Sequence, residues 1–164
     1  MKLNYKKINF TNGLKMHICE AGVKKSSTSS NILFLHGFPE LSYSFRHLMK
    51  KLSNKGFYCI APDQRGYGQT TYNTYNEKSL SKFSVINLSK DIFVLLKNLN
   101  IKKVNVIGHD FGSYIACYFT LLYPNMVNSL ITMSMPFGGP PSKSSKFGSY
   151  TVQDINKSLS KLSL

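Results

Sequence analysis

The chain has 164 residues, 42% of them hydrophobic, with 11 glycines and 6 prolines, which is enough for one domain with a real core. Its net charge of +14 comes from 21 basic residues, of which only Arg46 and Arg65 are arginines. The lysines are spread along the whole chain without an aromatic-basic motif, which argues against a nucleic-acid partner. The first ten residues contain lysines but no apolar h-region, so no signal peptide is expected. No apolar run approaches the roughly 18–20 residues that a bilayer span needs, so no membrane insertion is expected.

In chain order, two strands are expected over residues 5–10 and 14–20, joined by a turn at Asn12-Gly13, a strong hairpin signal. A polar linker over 24–30 precedes the continuous apolar run 32–35, which reads as a strand buried on both faces. Phe45, Leu48 and Leu52 recur at helical spacing, and Gly56 ends that helix. Residues 57–61 form the next strand and run into a long loop over 62–80. Val85, Leu88, Ile92, Leu95 and Leu99 mark an amphipathic helix. A buried strand running from 104 to Asp110 and a helix over 113–123 follow, the helix apolar nearly all round and stopped by Pro124. Residues 127–135 form a last strand, apolar and left as an exposed edge. The alternation predicts an α/β fold with a doubly wound, mostly parallel sheet and an N-terminal hairpin. After Pro136 the composition shifts to Gly, Pro, Ser and Lys.

Three motifs fall at the C-terminal ends of successive parallel strands, where open α/β sheets place their sites. They are His36-Gly37-Phe38-Pro39-Glu40, the turn Asp63-Gln64-Arg65-Gly66-Tyr67-Gly68-Gln69-Thr70, and Gly108-His109-Asp110-Phe111-Gly112. The last has a single acid at the tip of a Gly-flanked turn between strand and helix. Asp is also a favoured helix N-cap, but glycine on both sides signals close backbone approach, which favours a nucleophile position. A carboxylate attacking an sp³ carbon forms an ester that water can hydrolyse, whereas serine would form an ether. The pattern therefore points to epoxide opening or halide displacement. His36 and His109 read as loop-tying groups, and Gly66 and Gly68 as turn residues around Asp63. Cys19, Cys59 and Cys117 are odd in number without metal-like spacing, which suggests free thiols in a reducing cytoplasm. Neither metal nor cofactor is expected.

Together these blocks resemble the N-terminal half of an epoxide hydrolase of the α/β-hydrolase superfamily, with Thr70 in a Ser position and Phe111 in a Trp position. The resemblance implies Asp110 as nucleophile and the backbone N–H groups of Phe38 and Phe111 as an oxyanion hole. It implies support from His36, Gly37, Pro39, Asp63, Arg65, Gly66, Gly68, Gly108, His109 and Gly112; a cis Pro39 would hold Phe38 in place. The substrate it implies is a small apolar epoxide or a halogenated compound. A dehalogenase of the same fold is the alternative, disfavoured by the absence of Trp. In this superfamily an acid and a histidine follow the nucleophile. Here no histidine lies beyond Asp110, and the later acid is Asp154. The resemblance implies an incomplete hydrolase, truncated after about the sixth strand and lacking its general base. Residues 1–139 would be core, and 140–164 the start of a lid or an irregular tail. A non-catalytic remnant or interaction module that self-associates through the exposed edge strand is the reading from another class.

Overall fold

The computed structural model describes residues 2–24, 30–72 and 80–135. The proposed lid or tail over 140–164, with Asp154, lies outside them. Seven strands and three helices follow the expected alternation: β1 (Asn4–Asn9), β2 (Leu14–Ala21), β3 (Asn31–Leu35), α1 (Arg46–Asn54), β4 (Tyr58–Pro62), β5 (Thr71–Tyr72), α2 (Val85–Asn98), β6 (Val104–His109), α3 (Phe111–Leu122) and β7 (Val127–Met133). The strand order is β1-β2-β4-β3-β6-β7, with β5 paired to β2. Strands β4, β3, β6 and β7 run parallel, while β1, β2 and β5 make antiparallel pairs. The sheet is thus mixed, with the hairpin expected at Asn12-Gly13. The Asn12 side chain accepts the Leu14 N–H at 3.1 Å, and Gly13 takes the positive φ of 86° that the turn requires.

Both faces of the centre are packed. Leu33, Leu35, Val104, Val106, Ile92, Leu95, Ile115 and Phe119 fill one side, beneath α2 and α3. Phe34, Phe45, Met49 and Cys59 fill the other, beneath α1. Fully burying each large apolar side chain contributes about 1.5–3 kcal/mol. These layers hold rigid the C-terminal ends of β3, β4 and β6.

Four expectations need correction. The sheet holds a seventh strand, β5, inside the segment read as an irregular loop. Two residues carry no periodicity, and β5 exists only because Leu14 and Lys15 of β2 pair with it. In α1 the inward residue is Met49, and Leu48 faces solvent. The buried stripe runs Phe45, Met49, Ser53, so a residue three beyond Phe45 falls off its margin. Strand β6 is fully covered on one face only, with Asn105, Ile107 and His109 half-buried on the other. Finally, α3 starts two residues early, at Phe111, and leaves Tyr114 and Leu121 at the surface.

At the end of the sheet, β7 carries no charge and exposes Ile131 (52%) and Met133. Among the described residues no helix is long and apolar enough to cross a membrane.

Candidate active site

Strand β6 ends at His109, and the chain turns into α3 through Asp110, whose φ of 50° and ψ of −123° lie outside the regions L-residues favour. The turn is tight on both sides. A Cβ on Gly112 would sit 2.0 Å from the Leu35 carbonyl oxygen, and one on Gly108 would sit 2.6 Å from Ser113 Cα. The elbow is anchored to β7. The Asp110 N–H donates to the Met133 carbonyl at 2.9 Å, and Ser113 Oγ donates to that carbonyl and accepts the Met133 N–H.

Asp110 occupies the N-cap position of α3, yet its side chain makes no capping hydrogen bond. Instead Oδ1 accepts the Phe38 N–H at 3.0 Å. The Phe38 and Phe111 backbone N–H groups hold the Asp110 carboxyl below the usual carboxylate range. Gly37 allows this approach, since a Cβ there would lie 2.5 Å from Asp110 Cβ and 2.7 Å from Oδ1. The Phe38–Pro39 peptide is cis, and the Phe38 ring is 72% exposed beside the carboxylate.

Glu40, which sequence reasoning quoted only as part of a motif, holds this loop in place. Its Oε2 accepts the Gly37 N–H at 3.0 Å and meets His109 Nδ1 at 2.8 Å. Against the opposing effect of desolvation, the bonds to His109 and Gly37 keep the Glu40 carboxyl below its ordinary value. Glu40 is therefore ionised, and His109 Nδ1 carries the proton that it donates. His36 is committed to structure. Its Nε2 accepts the Gln64 N–H at 3.1 Å, so Nδ1 bears the proton and donates to the Gly37 carbonyl at 2.9 Å. Burial lowers the His36 pKa, which keeps the ring neutral. Tyr67 packs edge-on against His36 with centroids 4.9 Å apart. Burial, and then the Asp110 charge, raise its phenol pKa.

The second motif folds into a separate brace. Asp63 Oδ1 accepts the Ser42 N–H at 2.9 Å, and Oδ2 accepts the Gln69 N–H at 3.3 Å and meets His17 Nδ1 at 2.7 Å. Desolvation opposes ionisation of Asp63, but the bonds from Ser42, His17 and Gln69 prevail and hold its pKa low. A Cβ on Gly68 would sit 2.3 Å from Asp63 Oδ2, and Gly66 has a φ of 87°. Arg65 donates to Asp91 of α2 through two bonds of 2.7 Å, from Nε and Nη2, with both side chains buried. His17 and Asp91 were missed by sequence reasoning, because each meets its partner across a long stretch of chain.

The structure thus gathers His36, Gly37, Phe38, Pro39, Gly108, His109, Phe111 and Gly112 around Asp110. It sets Asp63, Arg65, Gly66 and Gly68 into the neighbouring brace. Among the described residues no group of three or more His, Cys, Asp or Glu side chains is placed to hold a metal ion.

Residues 31–161 match the family described as the alpha/beta hydrolase fold. The chain belongs to that family. Within the alpha/beta hydrolases it is similar to Epoxide hydrolase 3 of Siraitia grosvenorii, 42% identical over 127 residues that cover 77% of this chain and 37% of that protein. Epoxide hydrolase A of Mycobacterium tuberculosis is 31% identical, with the same coverage. The solved structure of potato (Solanum tuberosum) epoxide hydrolase I superposes with a TM-score of 0.75 at 41% identity, covering 87% of this chain and 43% of that one. The chain spans about two fifths of the length of the relatives it matches.

Proposed function

We propose that Asp110 is the nucleophile of an epoxide hydrolase-type reaction, converting a small apolar epoxide to a vicinal diol through an aspartyl ester. The observation that carries this reading is the carboxylate itself. It stands on a strained elbow, declines to cap its own helix, and has Oδ1 held by the Phe38 N–H. Similarity to proteins named epoxide hydrolases supports the substrate class.

Oδ2, the oxygen that Phe38 does not hold, attacks the epoxide carbon. The C–O bond of the ring breaks, and the alkoxide takes a proton from solvent. Oδ1 remains as the ester carbonyl oxygen, already bonded to the Phe38 N–H, with the Phe111 N–H also directed at the carboxyl group. When water adds to that carbonyl, the developing oxyanion falls into a preformed hole, where one such donor contributes about 2.7–4 kcal/mol. Water still needs a base, and the sequence has no histidine after Asp110. The aspartyl ester is therefore the species to trap. The three buried thiols, none in a disulfide, support a reducing compartment such as the cytoplasm.

Incubation with styrene oxide followed by mass spectrometry tests the reading. One adduct should form, map to Asp110 and vanish in Asp110→Asn. An adduct elsewhere, or one that survives in the variant, ends it. A second reading rests on the apolar edge β7, as a surface for self-association. Ile131→Lys should then shift the sedimentation coefficient of an oligomer to that of a monomer, and an unchanged coefficient would dismiss this reading.

A further inference from the structure

A cavity of about 670 Å³ lies between the β1–β2 hairpin and the turns after β3 and β4, and the chemistry of Asp110 makes no use of it. His17 lines it and is only 8% exposed. Its Nδ1 meets Asp63 Oδ2 at 2.7 Å, and Asp63 is held in its ionised form by its hydrogen bonds. His17 therefore commits Nδ1 to Asp63, and Nε2 is the ring nitrogen left for a ligand. That Nε2 has no hydrogen-bond partner among the described residues. The Tyr5 ring stacks on the imidazole at 5.6 Å and 6°, so a ligand meets the edge of the ring rather than the face that Tyr5 covers.

Two further groups define what would fit. Lys7 pairs with His17 across the β1–β2 register, which puts both side chains on one face. No acid partners Lys7 among the described residues, whereas Lys6, on the other face, is tied to Glu20 at 2.8 Å. Tyr43 and Leu41, both exposed, add aromatic and aliphatic wall. The cavity thus offers an imidazole edge, an ammonium without an acid partner and apolar wall, beside an Asp63 carboxylate whose oxygens are already bonded. A hydroxyl, which both donates and accepts, suits that ring nitrogen, while an anionic group suits the ammonium. A plain hydrocarbon leaves both polar groups unsatisfied.

We propose that this cavity is a second ligand site, separate from Asp110, for a hydroxyaryl carboxylate whose hydroxyl hydrogen-bonds His17 Nε2 and whose carboxylate pairs with Lys7. The test is a titration of the full chain with 4-hydroxybenzoate, followed through the imidazole nitrogens by long-range proton–nitrogen NMR. The expected result is a saturable shift of His17 Nε2, while His36, with both nitrogens engaged, stays still. Benzoate, which lacks the hydroxyl, and phenol, which lacks the carboxylate, should each bind at least tenfold more weakly. Lys7→Ala should weaken 4-hydroxybenzoate by a similar factor, and Asp110→Asn should leave its binding unchanged. No saturable shift, or equal binding of all three probes, overturns the proposal. The comparison of probes on the unaltered chain decides the matter even if the Lys7 variant fails to fold.

Discussion

Asp63 and Asp110 close two strands of the same sheet at the same end, β4 and β6, with β3 between them. Both carboxyls are held below the ordinary range. Their surroundings differ in one respect. Asp63 is buried, and its two oxygens are consumed by Ser42, Gln69 and His17. Asp110 has Oδ1 fixed by Phe38, makes no capping bond to its own helix, and meets no other side chain in a hydrogen bond among the described residues. A depressed pKa therefore does not separate a structural acid from a reactive one. The unfilled lone pairs do.

The largest break in this comparison is expected from Arg65→Leu. It leaves Asp91 ionisable, buried and unpaired, and should cost about 3–5 kcal/mol, read by urea unfolding. Asp63→Asn should cost about 3 kcal/mol by the same assay. Asp110→Asn, removing a solvent-facing charge, should change stability by less than about 0.5 kcal/mol. Equal losses from the two Asn variants would erase the distinction. The sign of the pH effect follows from the lowered Asp63 pKa. Its stabilisation is complete above the unfolded carboxyl value, 3.8, and disappears as pH falls through the lower folded value. Acid unfolding should accordingly be shallower in Asp63→Asn than in the unaltered chain.

Gly37→Ala sharpens the other half of the comparison, because the added methyl would overlap the Asp110 side chain. Ester formation with styrene oxide should slow about 100-fold, as displacements of this size do at reacting centres, while the fold survives by circular dichroism. The smallest effect is expected from pH. With the Asp110 pKa lowered, the proposed nucleophile is already ionised across pH 5–8, so the alkylation rate should be flat there. A rate that rises through this range would show another titrating group in control.

The elbow was legible in the sequence because its chemistry is local: Gly108, Asp110 and Gly112 sit at fixed spacing between an apolar strand and an apolar helix. The parallel core was legible for the same reason, through continuous runs such as 32–35. What could not be read depends on contacts across sequence. His17 is one polar residue in a strand until Asp63 arrives 46 positions later. Glu40 and His109 find each other across 69. Asp91 carries an ordinary helical position that only Arg65 explains. Strand β5 is too short to announce itself and is defined entirely by its partner.

Met133 is the last residue of the exposed strand β7, and its backbone is bonded both to the Asp110 N–H and to Ser113. The uncovered margin of the sheet and the carboxylate proposed to react are therefore mechanically one piece. Anything that draws β7 into a longer sheet would tug on the turn that aims Asp110. Reactivity at that single oxygen becomes a gauge of whether the margin of the sheet is occupied.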